Sequence, residues 1–254
     1  MTILIQSGRY LFALAIFGIG LVHLVSGNFP SSLLPFPEFA GKSLWVYLIG
    51  FVFVLGGISL LIDRIALQAA YIIGTLFLLL FIFPHLPKLL SDFSNPGEWT
   101  VAAETLALCS GAFISIPLLI DMNNPTIKNN GMLRGMVKPA PYVFALTLIV
   151  FAVQHYMYAD FIAKIVPSWM PARLFITFLV MFVFFLTSLS IFLNRRKREA
   201  AIIFGSMFLI MFAVLHIPRV LNNIRTETEW TSMFIALAMS GIGFMLAESA
   251  RKYR

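Results

Sequence analysis

The chain has 254 residues, of which 60% are hydrophobic and only 11% are charged, and its mean hydropathy is +0.92. A soluble domain is about 45–50% apolar and about 25% charged, so this composition excludes a soluble globular enzyme, a disordered chain and a nucleic-acid-binding protein. The single cysteine, Cys109, excludes a disulfide framework and a thiolate metal cluster. The composition therefore predicts a polytopic membrane protein embedded in a lipid bilayer, and it leaves open whether the protein is an enzyme.

Charged residues divide the chain into segments that match the thickness of a membrane. A helix needs about 20 apolar residues to cross a hydrocarbon core about 30 Å thick. The spacing predicts an all-α integral membrane protein with eight transmembrane helices, at residues 8–27, 43–62, 65–86, 99–120, 139–158, 173–193, 199–219 and 230–248. The segments 28–42 and 159–172 are too short and too rich in proline to span the membrane, so we expect surface or re-entrant elements there.

The distribution of lysine and arginine predicts the orientation. Twelve of these residues fall on the side of both termini and six on the other side, whereas the acidic residues divide four to seven. The resulting net charges of +8 and −1 place both termini in the cytoplasm by the positive-inside rule. The four tryptophans fall at the outer helix ends, as in an interfacial aromatic belt: Trp45, Trp99, Trp169 and Trp230.

An internal repeat organises the chain. Residues 69–90 align without gaps to residues 200–221, with ten identities in 22 positions, and the same offset of 131 pairs Glu98 with Glu229. An offset of 132 pairs His23 with His155. We therefore expect two tandem four-helix bundles, at 1–122 and 139–254, joined by a cytoplasmic linker at 123–138. The two bundles should have parallel orientation, because an even number of helices in each repeat gives both copies the same orientation in the membrane.

The second copy resembles a known family. The sequence HYMYADFIAKIVPSWMP (155–171), the basic turn RRKREAA (195–201), LHIPRVLNN (215–223) and the small-residue helix ALAMSGIGFMLA (236–247) look like DoxX-like membrane proteins. The first copy matches more loosely. That family usually forms single four-helix units, and its founding member is similar to a small membrane subunit of a thiosulfate:quinone oxidoreductase. The resemblance implies a bacterial inner (plasma) membrane protein with a link to quinones and to a periplasmic or membrane redox partner.

All four histidines lie in the outer turns of predicted helices, which places them at one depth. An ionisable residue inside the membrane is costly, so each one is a candidate functional residue. Two of the histidines are followed by a basic residue three positions later, Lys88 after His85 and Arg219 after His216. Each of these two histidines is also followed by a glutamate thirteen positions later, Glu98 or Glu229. The candidate ligand-binding residues are His23, His85, Lys88, Glu98, His155, Tyr156, His216, Arg219 and Glu229. Glu104 lies deeper and occurs only in the first copy.

These residues predict one cluster in each half, near the periplasmic face. In the preferred interpretation, the protein is an accessory or redox-associated component, and the clusters bind the polar head of an amphiphile such as a quinone. Haem b held by two histidines is a weaker alternative, since no His-x3-His pair is present. Two further alternatives stay open: a small-molecule transporter, and a non-catalytic scaffold in which the clusters only hold the helices together. No catalytic residues and no metal site are predicted.

Overall fold

The computed structural model describes residues 6–36, 38–120 and 130–252, and every regular element in these ranges is helical. Eight of the helices are long and apolar enough to cross a membrane. They are α1 (Gly8–Ser26), α2 (Lys42–Leu61), α3 (Ala66–Ser91), α4 (Pro96–Leu119), α5 (Ala140–Met157), α6 (Arg173–Phe192), α7 (Lys197–Asn222) and α8 (Glu227–Lys252). The prediction of an all-α multi-pass membrane protein with eight spans is confirmed. Residues 123–129 of the predicted linker lie outside the described residues, and the rest of it contains the short helix Gly131–Val137.

Two helices continue beyond their predicted ends, and both contain a wide turn. A π-helical turn occupies Phe81–His85 in α3 and Phe212–His216 in α7. In each turn a backbone N–H donates to the carbonyl five residues earlier, from Leu86 to Phe81 in the first case. A proline follows the histidine by two residues in both helices, and it lacks the N–H that α-helical bonding would need. The helix thus continues through the proline as a local bulge that ends at the histidine.

The eight helices form a ring in which the two halves lie side by side and meet at α4 and α8. Each helix packs against the next along the chain, and α8 returns to pack against α1. The fourth helix of each half therefore contacts the first helix of the other half. Helices α4 and α8 also contact each other and are the two most buried helices. The finer prediction of two separate four-helix bundles is not confirmed, because α4 and α8 each contact helices of both halves.

Small residues allow the close approach of α1 and α8. A Cβ atom added to Gly241 of α8 would lie only 2.7 Å from the carbonyl oxygen of Gly8, and one added to Gly8 would lie 2.7 Å from the backbone nitrogen of Met245. The two backbones are thus in direct contact, as is common where membrane helices pack through small residues. This contact joins the last helix of the second half to the first helix of the first half.

The two halves differ in the segment that follows their first helix. In the first half, segment 28–36 folds inward, and Phe29, Leu33 and Leu34 join the hydrophobic core. In the second half the corresponding chain forms the short helix Ala159–Ile165. The aligned aromatic residues show the difference, since Phe29 is 5% exposed and Phe161 is 65% exposed. The first half is therefore filled by its own chain, and the second is not.

Candidate ligand-binding cavity

Equivalent histidines on α1 and α5 are held in the same way. The Nδ1 atom of His23 bonds to the carbonyl oxygen of Ile19 and that of His155 to the carbonyl oxygen of Phe151, both at 2.8 Å. Each imidazole also packs edge-on against a phenylalanine ring, Phe53 for His23 and the equivalent Phe184 for His155. A carbonyl oxygen only accepts hydrogen bonds, so Nδ1 carries the hydrogen in both rings. The Nε2 atom of each neutral ring is then left as an acceptor.

The predicted pairing of cations with glutamates is found in both halves. The Nζ atom of Lys88 lies 2.8 Å from Glu98, which is buried. Arg219 donates two hydrogen bonds of 2.8 Å to the two carboxylate oxygens of Glu229. Each pair joins the end of one helix to the start of the next, across the turn that connects α3 to α4 or α7 to α8. These opposite charges stabilise one another at the facing helix ends.

The second pair of histidines, on α3 and α7, differs between the halves. The Nε2 atom of His85 lies 3.1 Å from the hydroxyl of Thr105, and the ring has a further hydrogen-bond contact with the backbone of Leu33. His216 has neither partner. Its Nδ1 atom is buried without a hydrogen bond in the described part of the chain. The position that corresponds to Thr105 is Ala236, and the segment that corresponds to 28–36 lies further out.

A cavity of about 460 Å³ occupies the second half, next to the unpartnered His216. This volume is in the range of small-molecule sites, which are typically apolar with a few placed polar groups. Phenylalanine, isoleucine, valine and methionine side chains make most of its wall. The polar and charged residues among those that line it include Thr100, Glu104, Gln154, His155, His216 and Arg219. The cavity thus combines an apolar space with two imidazoles.

Glu104 reaches this cavity from the first half and is a residue that the sequence prediction left out of the site. It lies on α4, one helical turn below Thr100, and both side chains line the cavity of the second half. Gln154 of α5 fixes this contact by donating to the carbonyl of Pro96 at 2.8 Å and to the hydroxyl of Thr100 at 3.0 Å. The Glu104 carboxyl has no hydrogen-bond or ion-pair partner among the described residues. The predicted depth of Glu104 in the membrane was the one feature of the sequence that pointed to a functional role for it. The sequence did not show that α4 borders both halves.

The structure divides the predicted site residues into separate groups. His155, His216 and Arg219 line the cavity, and Glu229 holds Arg219 in place. Tyr156, expected beside this pocket, is 70% exposed and is not in its lining, because one residue along a helix turns the side chain by about 100°. The remaining four residues surround the filled core of the first half: His23, His85, Lys88 and Glu98. Within the described ranges, no group of three or more histidine, cysteine or acidic side chains is arranged to hold a metal ion.

Comparisons with known proteins do not assign the chain. No protein-family model matches it, and neither curated proteins nor solved structures give a match. The cavity and the sequence motifs are therefore the features that bear on function.

Proposed function

We propose that this protein is a DoxX-like component of the bacterial inner membrane that binds a quinone-like amphiphile in the cavity of its second half. One observation carries the proposal: His216 borders an apolar cavity of about 460 Å³ and lacks the hydroxyl and backbone partners that its counterpart His85 has. A buried polar atom without a partner is rare in native proteins, and a ligand is one of its ordinary explanations.

The chemistry of the cavity suits this class of ligand. Apolar walls accommodate a substituted ring and the first part of an isoprenoid chain, and the imidazoles of His155 and His216 can bond ring oxygens. The cavity contains no nucleophile paired with a base among its described lining residues. We therefore propose a binding or accessory role beside a periplasmic or membrane redox partner.

The proposed orientation follows the charge distribution. With both termini in the cytoplasm, the histidine ends of α1, α3, α5 and α7 lie near the periplasmic face, and the ligand binds in the outer leaflet. The DoxX-like assignment is supported by the order of the His-Tyr, basic-turn and His-x-Pro-Arg motifs in residues 155–223. That family's link to quinone chemistry agrees with the ligand that the cavity favours.

The decisive experiment compares two equivalent histidines. Lipids extracted from the purified protein are analysed for quinone, in the wild type, in His216→Ala and in the matched control His85→Ala. We expect quinone in the wild-type extract, its loss in His216→Ala, and its retention in His85→Ala. The melting temperature should fall mainly in His85→Ala, because that change removes the hydrogen bond between His85 and Thr105, which contributes about 0.5–1.5 kcal/mol net, while Thr105 keeps its bond to the Val101 carbonyl. If wild-type protein neither retains quinone nor binds it when it is added, the proposal is wrong.

A scaffold function is the second candidate. The ion pairs Lys88–Glu98 and Arg219–Glu229, together with the packing of α4 and α8 across the halves, hold the helices in place without any ligand. In that case His216→Ala should lower the melting temperature while no ligand is detected in the wild type. The same extraction and melting measurements therefore separate the two candidates.

A further inference from the structure

The basic turn between α6 and α7 begins with four consecutive cations, Arg195, Arg196, Lys197 and Arg198. Within the described part of the chain, none of their side chains forms an ion pair or a hydrogen bond. Glu199, the next residue, is exposed and pairs with none of them. The Nε atom of Arg198 is buried without a partner. The positive charge of this turn is therefore available to an anion from outside the protein.

Backbone hydrogen bonds fix the position of these cations. Helix α6 ends in a Schellman motif, in which the N–H of Arg195 donates to the carbonyl of Ser190 at 3.1 Å and the N–H of Asn194 donates to the carbonyl of Ile191 at 3.2 Å. Asn194 and Arg196 both adopt the left-handed conformation, with φ of 49° and 50°. Arginine is uncommon in that region of the backbone map. The turn thus presents its cations from a defined backbone and not from a long loop.

An apolar groove on α6 leads to the same cations. It has a volume of about 390 Å³, and the residues that line it are Leu186, Leu189, Ser190, Leu193, Arg195 and Arg196. The four residues of α6 and its end share one face of the helix, because they are spaced by three and four positions. The three leucines are 41–59% exposed. The groove therefore has an apolar wall along the membrane-spanning helix and a positive end at the turn.

The equivalent turn of the first half lacks this arrangement. At the offset of 131, Arg64 corresponds to Arg195, and the uncharged residues 65–67 correspond to the other three cations. The acidic residue of that turn, Asp63, pairs with Arg9 of α1. Among the described residues, the first turn thus has one unpaired cation where the second has four. The connection between the two helices does not itself require the four cations.

We infer that this groove binds an anionic phospholipid of the cytoplasmic leaflet. Its phosphate lies against the guanidinium groups of Arg195 and Arg196, and the first part of an acyl chain lies along the leucines of α6. A guanidinium group bonds phosphate oxygens through paired N–H groups. Clusters of lysine and arginine at the cytoplasmic end of a transmembrane helix attract anionic lipids, and the charge distribution predicts that this side is cytoplasmic. The groove is separate from the cavity beside His216, so the inference does not depend on quinone binding.

The test measures lipid binding to the full-length protein in a neutral detergent by native mass spectrometry. Phosphatidylglycerol is the anionic probe, and phosphatidylcholine is the zwitterionic one. We expect the wild type to bind phosphatidylglycerol at least about tenfold more tightly, since each cation near an anionic lipid contributes about fivefold in affinity. In Arg195→Gln/Arg196→Gln this ratio should fall to about twofold or less, because the two guanidinium groups that line the groove are removed.

The matched control is Arg64→Gln/Lys138→Gln. It removes two exposed cations from the same side of the protein, so it changes the net charge equally and should leave the ratio unchanged. Inorganic phosphate, added at constant ionic strength, should not displace bound phosphatidylglycerol, because it makes no contact with the leucines of the groove.

The inference is overturned if the wild type binds both lipids equally, or if Arg195→Gln/Arg196→Gln keeps the wild-type ratio. An equal fall in both double variants overturns it as well, since binding then follows net charge and not this groove. Displacement by inorganic phosphate would show that the turn binds a free anion and that the groove holds no lipid. The two wild-type measurements decide the question if the arginine variant does not fold.

Discussion

At the residue scale, the two halves differ in the hydrogen-bond partners of His85 and His216. Thr105 bonds His85, and Ala236 at the equivalent position leaves His216 without that bond. Both residues are buried at equivalent positions, Thr105 on α4 and Ala236 on α8. The Thr105 hydroxyl and the inward segment 28–36 together engage His85, and both partners are missing around His216.

Introducing the missing hydroxyl should close the second site. In Ala236→Thr the new hydroxyl can bond His216 as Thr105 bonds His85, and the added atoms occupy part of the cavity lined by residue 236. We expect bound quinone to fall at least fivefold, with a melting temperature equal to or above that of the wild type, since a net hydrogen bond contributes about 0.5–1.5 kcal/mol. Lipid extraction and thermal unfolding provide the two measurements.

The reverse change in the first half is its control. Thr105→Ala should lower the melting temperature, because it leaves His85 without its hydroxyl partner, and it should leave quinone content unchanged. Undiminished quinone in Ala236→Thr would show that His216 is not a ligand contact.

At the element scale, the contact between α1 and α8 depends on the absence of side chains. In Gly241→Ala the added methyl group would lie 2.7 Å from the Gly8 carbonyl oxygen, so the helices must separate. We expect a loss of about 1–3 kcal/mol in the free energy of unfolding, as in other overpacked cores. Thermal unfolding in detergent measures it.

A second glycine controls for the change in helix propensity. Gly135 lies in a helix where an added Cβ meets nothing within 4 Å, so Gly135→Ala should leave stability unchanged or raise it slightly. Equal stability of both variants would mean that α1 and α8 tolerate a wider separation than the packing indicates.

The sequence predicted the transmembrane helices better than it predicted the ligand-binding cavity. The spacing of charges located all eight spans, because the cost of burying a charge in lipid acts locally along the chain. The ion pair of Arg219 with Glu229 followed from their positions at facing helix ends. The role of Glu104 did not follow, since it depends on which helices meet across the halves. The inward fold of segment 28–36 was equally hidden, because its prolines exclude a span but do not indicate burial.

At the scale of the whole molecule, the orientation in the membrane is a prediction that labelling can test. The excess of lysine and arginine on one side predicts that the turn at Arg195 is cytoplasmic and the turn at Ser94 is periplasmic. Both residues are exposed, so single cysteines introduced there are accessible. An impermeant thiol reagent applied to intact cells lacking an outer-membrane barrier should label Ser94→Cys and not Arg195→Cys.

The native cysteine gives the background for that experiment. Cys109 is 5% exposed and its thiol donates to the carbonyl of Gly74, so the unmodified protein should remain unlabelled. Labelling of Arg195→Cys from outside would reverse the proposed orientation and would move the cavity to the cytoplasmic side.

The inward fold of segment 28–36 has a consequence for stoichiometry. Phe29 and Leu33 are buried in the core of the first half, whereas the aligned Phe161 and Ile165 border the open cavity of the second, so we expect one ligand site per chain and not two. A titration with a short-chain quinone should therefore saturate at one molecule per chain. Replacing Leu33 and Leu34 together by alanine should create a second, weaker class of sites. If the wild-type protein instead binds two ligand molecules per chain, segment 28–36 must move out of the core of the first half to admit the second molecule.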